Sequence, residues 1–136
     1  MNNPIFQQKP YSDTAQRMLA RTPQLFINNE WIDSTGGDTL PVIDPSSGKE
    51  IARIVEANHD DVNRAVAAAR QAFDDGRWTG MPAIARERLI HKLADLIEAH
   101  ADELAELEAI DNGKPVGMAR MVDLPAAINM FRYTAG

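Results

Sequence analysis

Cysteine is absent from this sequence of 136 residues. The chain therefore has no disulfide, no cysteine-ligated zinc site and no thiol nucleophile of its own. This argues against a small secreted domain, because such domains usually depend on disulfides for their stability. The chain also lacks any apolar run close to the roughly 18–20 residues that cross a bilayer, so we expect no membrane partner. Residues 1–23 contain no apolar core of a secretory signal, and we expect a cytoplasmic location.

Basic residues are fewer than acidic ones: the chain has 14 Lys and Arg and 20 Asp and Glu, which gives a formal net charge of −6. An acidic surface repels phosphate backbones, so we expect no nucleic-acid partner. The chain also lacks a G-x-G-x-x-G motif, and no dinucleotide site is encoded locally. What the composition does supply is 44% hydrophobic and 25% charged residues, which is ordinary for a soluble domain with a core.

An amphipathic stretch from Pro82 to Pro115 organises the rest of the chain. Its apolar residues recur at helical spacing: Leu89, Leu93, Leu96, Ile97, Leu104, Leu107 and Ile110. This pattern predicts a helix with one buried face. Because roughly thirty residues is long for one globular helix, we expect a break near His100 and a second helix from Asp102. Gly113 predicts the end of that second helix.

Residues 25–56 predict two successive β-hairpins. Asn28-Asn29 separates two short apolar runs, and asparagine tolerates the positive φ angles of a tight two-residue turn. Asp44–Gly48 predicts the turn of the second hairpin. Residues 1–24 form a polar segment that we interpret as a loosely held arm, the alternative being a short helix over Ser12–Ala20 that Ser12 caps.

Two further helices are predicted. The first covers Asn58–Phe73, and its expected inner face consists of Val62, Ala65, Val66, Ala69 and Phe73. The second covers Val116–Arg132, where Pro125 removes a backbone donor. We therefore expect this helix either to kink or to restart there, with Asp123 as the cap. The chain alone is therefore expected to form two short β-hairpins followed by three to four α-helices. These helices have more apolar face than so small a sheet covers, so we infer that they pack against something outside the chain.

Five separated blocks follow one another in a recognisable order: QLFINNEWIDS, VIDPSSGKEIARIVEAN, DVNRAVAAARQAF, RERLIHKLADLIEAHADELAELEAIDNGKP and FRYTAG. Together they resemble the amino-terminal quarter of the NAD(P)-dependent aldehyde dehydrogenase superfamily. The resemblance covers Gln24–Gly136. It is specific, because all five blocks keep the order and spacing of the family.

The resemblance implies an α/β parent enzyme that oxidises an aldehyde to an acid with NAD or NADP. Such a parent has a Rossmann-like cofactor domain, a catalytic domain and a small oligomerisation hairpin, and we expect a homo-oligomer. Residues 25–136 would be the amino-terminal portion of the cofactor-binding domain, with the remaining polypeptide or its subunits as partner. The family's cysteine nucleophile, general-base glutamate, oxyanion-site asparagine and cofactor loop have no counterpart here. We therefore expect no catalytic or cofactor-binding residue and no activity from this chain alone.

The resemblance also implies a structural site for a monovalent cation, K⁺ or Na⁺. Its ligands would be the main-chain oxygens of Val42 and Ile43 and the carboxylate of Asp111. Asp111 lies in the last turn of a predicted helix, where the helix dipole disfavours a carboxylate and a nearby cation would offset that cost. The alternative is that Asp111 belongs to an ordinary solvated turn.

A last implied site is one wall of the channel through which the aldehyde enters. Val122 and Ala126 are four residues apart and therefore share a helix face, and the small Ala126 would leave room for a bulky substrate. The alternative is that both are plain core residues. Two other functions remain open for the whole chain: a non-catalytic protein that binds a partner through exposed apolar helix faces, and a gene product without function.

Overall fold

A computed structural model of the protein describes residues 11–136. Residues 1–10, which belong to the predicted arm, lie outside the described residues. The elements follow in the order α1 (Asp13–Leu19), β1 (Leu25–Ile27), β2 (Glu30–Ile32), β3 (Thr39–Ile43), β4 (Glu50–Val55), α2 (His59–Asp74), α3 (Ala83–Ala99), α4 (Ala101–Asn112), α5 (Val116–Met118), a π-helical segment (Ala119–Asp123) and α6 (Leu124–Ala135). None of the helices in this part of the chain has the length and apolar character needed to cross a membrane.

The two predicted hairpins are confirmed. β1 pairs with β2 and β3 pairs with β4, each as a separate antiparallel ladder. Asn28 and Asn29 have φ angles of 53° and 67°, as the tight turn requires. In the second ladder Val42 faces Ala52 and Ile43 faces Glu50, which leaves Ile51 as the extra residue of a β-bulge.

The segment before the first hairpin contains a docked helix. The Ser12 side chain caps α1 by accepting from the Ala15 backbone N–H at 3.2 Å. The backbone N–H of Ser12 donates to Glu106 Oε1 on α4 at 2.7 Å, and the Ser12 hydroxyl donates to Glu106 Oε2. Ala15 is 1% exposed. The described part of the predicted arm is therefore held on α4, and the capped-helix alternative is confirmed.

The predicted break in the long amphipathic stretch is also confirmed. α3 ends at Ala99, α4 begins at Ala101, and Gly113 ends α4 in the left-handed conformation with φ 77°. The expected buried face is wrong for much of α3, because Leu89, Leu93 and Leu96 are 47%, 44% and 50% exposed. Within residues 11–136, no element covers that side of the helix, so the leucines that periodicity assigned to a core lie at the surface.

The inner face predicted for α2 is wrong for the same reason. Val66 and Phe73 are each 62% exposed, and Val62 is 50% exposed. The side of α2 that faces the β1–β2 turn is lined by small side chains: Ala65, Ala68, Ala69 and Ala72. α2 therefore contacts the first hairpin through alanines and leaves its larger apolar residues uncovered.

The last helical region is irregular next to Pro125, as predicted: a widened π-helical turn over Ala119–Asp123 precedes α6, which begins at Leu124. The backbone N–H of Leu124 donates to the Ala119 carbonyl, five residues earlier, which is the π-helical pattern. A proline ring in an α-helix clashes with the carbonyl four residues before it, here that of Met121, and a locally wider turn relieves the clash. The predicted cap is wrong, because the Asp123 side chain accepts from Lys114 and makes no capping bond.

The core consists mainly of alanine. The buried apolar residues are Ala15, Ala94, Ala101, Ala105, Ala109, Ile110, Ala119, Leu124 and Ile128. Ala105 and Ala119 are 0% exposed and belong to one cluster that joins α4 to the π-helical segment. Alanine lets helix backbones approach closely, but each alanine buries little apolar area. The hydrophobic stabilisation from this core is therefore small for the number of residues it contains.

Candidate functional site

A groove between α4 and α6 brings together two of the residues that the sequence placed in separate sites. Its volume is about 690 Å³. The residues that line it are Ile97, Leu104, Leu107, Glu108, Asp111, Asp123, Leu124, Ala126 and Ala127. Asp111, the predicted cation ligand, and Ala126, the predicted channel residue, therefore share one surface. We refer to this surface as the α4–α6 groove.

Asp111 occupies the last turn of α4 and is exposed. Its carboxylate has no hydrogen-bond or ion-pair partner among residues 11–136. The backbone carbonyls at this end of the helix carry partial negative charge, so the position favours a cation over a second anion. An exposed, unshared carboxylate at a helix C-terminus is a suitable ligand for a hard monovalent ion.

Val42 and Ile43 do not line the α4–α6 groove, but the chain brings their strand close to the end of α4. A Cβ placed on Gly113 would meet Pro45 Cγ at 3.0 Å, so the β3–β4 turn touches the α4 C-terminus. Ile43 lies two residues before Pro45, and Asp111 lies two residues before Gly113. The bulge that follows Val42 interrupts the regular ladder there. The segments that contain the predicted ligands therefore approach each other at Gly113 and Pro45, whereas Asp111 itself lines the α4–α6 groove.

A site for a divalent or transition metal has no such support. Across residues 11–136 there is no group of three or more His, Asp or Glu side chains placed to hold a metal ion. Glu108 and Asp123, the other carboxylates of the α4–α6 groove, both accept from Lys114. The negative charge of the groove is therefore partly neutralised by a side chain of the protein.

Val122 and Ala126 lie at the surface. Val122 is 50% exposed and Ala126 is also exposed, so neither belongs to the core that residues 11–136 form among themselves. Exposed neighbours extend this apolar region: Met118, Met121 and Met130 are 49%, 71% and 62% exposed. The exposed apolar surface on this side of the helix is therefore broader than the two residues named.

Lys114 is a residue of this region that sequence reasoning missed. Its Nζ donates to Glu108 Oε1 at 2.8 Å and to Asp123 Oδ2. Hydrogen bonds to Asp123 and then Glu108 raise the pKa of Lys114 above its usual value. The partners lie six residues before and nine residues after the lysine, and neither separation is a helical spacing that a pattern search would detect.

A second cavity of about 680 Å³ lies on the other side of α4, between α1 and the β3–β4 turn. It contains Asp44, which is 2% exposed and accepts from the Ser46 backbone N–H at 2.8 Å and the Ser47 hydroxyl at 2.7 Å. Burial, followed by the nearby Asp44 carboxylate, raises the pKa of Tyr11. The hydrogen bonds that Asp44 accepts from Ser46 and Ser47 stabilise the β3–β4 turn, which touches the end of α4.

A buried carboxylate also fixes the start of α2. Asp61 is 1% exposed and accepts from the Ser34 hydroxyl, from the Thr35 backbone N–H at 3.1 Å and from Arg64. It also completes a capping box with Asn58. The hydrogen bond from Ser34, opposed by burial, and those from Thr35, Arg64 and Asn58 hold the pKa of Asp61 well below its usual range. From the sequence, Asp61 is recognisable only as an acidic residue near the start of the predicted helix, where it favours the helix dipole.

Comparison with known proteins agrees with this architecture. The family model described as "Aldehyde dehydrogenase family" matches residues 31–136. The chain is 48% identical over 113 residues to the mitochondrial benzaldehyde dehydrogenase of Antirrhinum majus, a match that covers 83% of this chain and 21% of that protein. It is 46% identical over 114 residues to the mitochondrial aldehyde dehydrogenase of Homo sapiens, covering 83% of this chain and 22% of that protein.

Solved structures give the same result. The NAD⁺ complex of an aldehyde dehydrogenase from Bacillus cereus has a TM-score of 0.88 and 41% identity, covering 93% of this chain and 26% of that one. The betaine aldehyde dehydrogenase of Staphylococcus aureus, also with NAD⁺, has a TM-score of 0.83 and 32% identity, covering 90% and 24%. The fold is therefore that of the amino-terminal region of an α/β oxidoreductase. The chain belongs to the aldehyde dehydrogenase family, and it spans 21% to 26% of the length of these relatives.

Proposed function

We propose that this chain is a framework segment of an enzyme that oxidises an aldehyde to a carboxylic acid with NAD⁺. The observation that carries the proposal is the match to the Bacillus cereus NAD⁺ complex, with a TM-score of 0.88 over 93% of the chain. In such an enzyme NAD⁺ accepts the hydride that leaves the substrate. The attacking thiolate must come from outside these 136 residues, because they include no cysteine. The 136 residues alone are therefore expected to be inactive.

The uncovered apolar side chains support a framework role. Large apolar residues are exposed on α2, on α3 and along the π-helical segment and α6. Leaving such surfaces in water is unfavourable, at about 25 cal/mol per Å² of apolar area. We propose that the remaining part of a Rossmann-like cofactor domain covers them, and that the complete enzyme forms homo-oligomers. NADP in place of NAD, and a cytoplasmic location, remain predictions; both named curated relatives are mitochondrial.

Within this framework we propose two local roles. Val122 and Ala126 form part of the wall of the aldehyde channel, which their exposure on one helix face supports. Asp111, with the carbonyl oxygens of Val42 and Ile43, holds a monovalent cation that joins the β3–β4 turn to the end of α4. The contact between Gly113 and Pro45 supports this second role.

The test is a grafted enzyme, in which this chain replaces the corresponding amino-terminal segment of the Bacillus cereus aldehyde dehydrogenase. We expect the grafted enzyme to reduce NAD⁺ in the presence of an aldehyde. The matched controls are the 136-residue chain alone and the Bacillus remainder alone, both of which should be inactive. A soluble, folded graft that binds NAD⁺ but oxidises no aldehyde would contradict the proposal, and so would turnover by the 136-residue chain alone.

A second candidate function is a non-catalytic protein that binds a partner. The exposed methionines favour it, because Met-rich surfaces adapt to varied partners. The discriminating measurement adds the 136-residue chain to the separately expressed Bacillus remainder and follows both association and NAD⁺ reduction. Association with recovery of activity supports the framework role. A folded chain that does not associate with the remainder favours the binding function.

A further inference from the structure

The ion cluster of Lys114, Glu108 and Asp123 carries an inference beyond the framework role. We propose that Lys114 is a positioning residue: it fixes the π-helical segment and, through that segment, the face that carries Val122 and Ala126. The effect on substrate choice rests on the proposed function, because this face influences an aldehyde only if it borders the channel. The effect on the π-helical segment itself is independent of catalysis.

Lys114 is placed to act across two elements. It lies between the end of α4 at Asn112 and the start of α5 at Val116. From there Nζ reaches Glu108 on α4 at 2.8 Å and also reaches Asp123, the last residue of the π-helical segment. One ammonium group therefore joins α4 to the far end of the widened turn. The Lys114 side chain is 28% exposed, so solvent screens these bonds less than it screens an open surface pair.

The π-helical segment needs such a contact because its own geometry does not determine where the turn widens. Pro125 cannot donate a backbone hydrogen bond, and its ring clashes with the preceding turn in α geometry. The clash requires a distortion, but a kink or a wide turn elsewhere would also relieve it. The bond from Lys114 to Asp123 favours one of these distortions, the wide turn over Ala119–Asp123. Val122 is adjacent to Asp123 in the chain, and Ala126 follows three residues later, so fixing Asp123 sets the direction of both.

Arg120 provides a matched control on the same segment. It pairs with Asp102 of α4, but the Asp102 side chain is 91% exposed and that of Arg120 is 47% exposed. Exposed pairs of this kind contribute little. Arg120→Met therefore removes a cation from the π-helical segment without removing the partly shielded contact. Lys114→Met removes that contact with a side chain of similar length, and Lys114→Arg should keep it.

The first measurement is amide hydrogen exchange in the 136-residue chain, which needs no catalysis. We expect exchange of the amides of residues 119–124 to become about threefold to tenfold faster in Lys114→Met, with the amides of α1 unchanged. Arg120→Met and Lys114→Arg should stay within about twofold of wild type. Equal rates in wild type and Lys114→Met would overturn the proposal, as would a wild-type chain that shows no protection in this segment.

The second measurement uses the grafted enzyme with acetaldehyde and with benzaldehyde. We expect Lys114→Met to change the ratio of the two kcat/KM values by about threefold or more, through KM for benzaldehyde, with kcat for acetaldehyde retained. Lys114→Arg should restore the ratio. A uniform loss on both aldehydes overturns the proposed effect on substrate choice. An inactive wild-type graft instead counts against the proposed function, and the exchange measurement then decides the positioning role by itself.

Discussion

The helices of this chain are held in place in two different ways. Every buried apolar side chain of the described residues belongs to α1, α3, α4, the π-helical segment or α6, and most of them are alanines. In α2, by contrast, the single buried residue is the carboxylate of Asp61. The first group forms a body in which helix backbones approach closely. α2 is fixed at its amino-terminal end by polar bonds to Ser34 and Thr35, and along its length only alanines face the first hairpin.

The contrast separates two kinds of surface. In the helical body, small side chains are buried where helices meet, and the larger ones remain at its outside. In α2, a directional set of hydrogen bonds fixes the helix start, and Val66 and Phe73 remain exposed along its length. Hydrogen bonds at one end orient a helix without covering its apolar face. The apolar face of α2 therefore remains available for packing, whereas the other helices already bury side chains against one another.

The largest expected effect is on the alanine core. Ala105 is 0% exposed in the cluster with Ala101 and Ala119, so Ala105→Leu forces extra atoms between α4 and the π-helical segment. Overpacking of this kind lowers the free energy of unfolding by about 1–3 kcal/mol. The matched control is Ala67→Leu on the exposed side of α2, which should change it by less than about 0.5 kcal/mol. Urea unfolding measures both; equal losses would show that the body has no packed interior.

The next effect concerns Asp61 and depends on pH. Its pKa is lowered in the folded chain, so its carboxylate binds a proton less readily there than in the unfolded chain. The stability it contributes is complete above its unfolded pKa, about 3.9, and is lost as the pH falls further towards the folded value. In Asp61→Asn the amide cannot form the ion pair with Arg64 and does not titrate. The contribution of residue 61 to the free energy of unfolding should then be the same at pH 5 and pH 3. Urea unfolding at these two values compares the variants.

The comparison at two pH values separates the contribution of the Asp61 carboxylate to stability from the effect of acid on the rest of the chain. Wild type should lose more stability than Asp61→Asn on going from pH 5 to pH 3, and the two should converge at low pH. The matched control is Asp60→Asn, which changes an exposed carboxylate in the same helical turn. If Asp61→Asn and wild type lose stability equally, the buried carboxylate does not hold α2.

The sequence was sufficient for features with a local cause. Asn28 and Asn29 specify the first hairpin turn because few other residues accept positive φ. Pro125 specifies the site of a distortion because it lacks a donor. The break at His100 followed from helix length alone. Each of these effects operates within a few residues, so no knowledge of distant segments was needed.

The sequence was insufficient where a partner decides the outcome. The periodicity of Val62, Val66 and Phe73 shows that these residues favour burial, but it does not show whether their partner lies within the chain. The same is true of Leu89, Leu93 and Leu96. Lys114 was missed because its bonds cross a loop. The joint placement of Asp111 and Ala126 in one groove could not be predicted either, because it depends on how α4 and α6 pack in three dimensions.

A smaller effect is expected at the junction of α1 with the body. The Ser12 hydroxyl caps α1 and donates to Glu106 Oε2, so Ser12→Ala removes the cap and this bond but keeps the backbone N–H bond to Glu106 Oε1. Replacing a serine cap with alanine lowers stability by about 1 kcal/mol. The matched control is Thr14→Ala at the second residue of the same helix, which keeps the cap and removes only an exposed bond from Arg17. Circular dichroism during urea unfolding reports the change. A loss in Thr14→Ala as large as that in Ser12→Ala would contradict a specific contribution from the Ser12 hydroxyl.

In the 136-residue chain the smallest effect is expected on the exposed face of α2, and comparison with the grafted enzyme tests whether the rest of the enzyme covers that face. Val66→Ser should alter the free energy of unfolding of the 136-residue chain by less than about 0.5 kcal/mol, because Val66 is already 62% exposed. In the grafted enzyme, where we propose that this face is covered, the same change removes apolar area from a buried contact and should lower stability by about 1–2 kcal/mol. Thermal unfolding of both proteins measures the difference. Gln71→Ser, an exposed polar position on α2, is the control and should be neutral in both. If Val66→Ser is equally harmless in the grafted enzyme, the face of α2 is not covered by the rest of the enzyme.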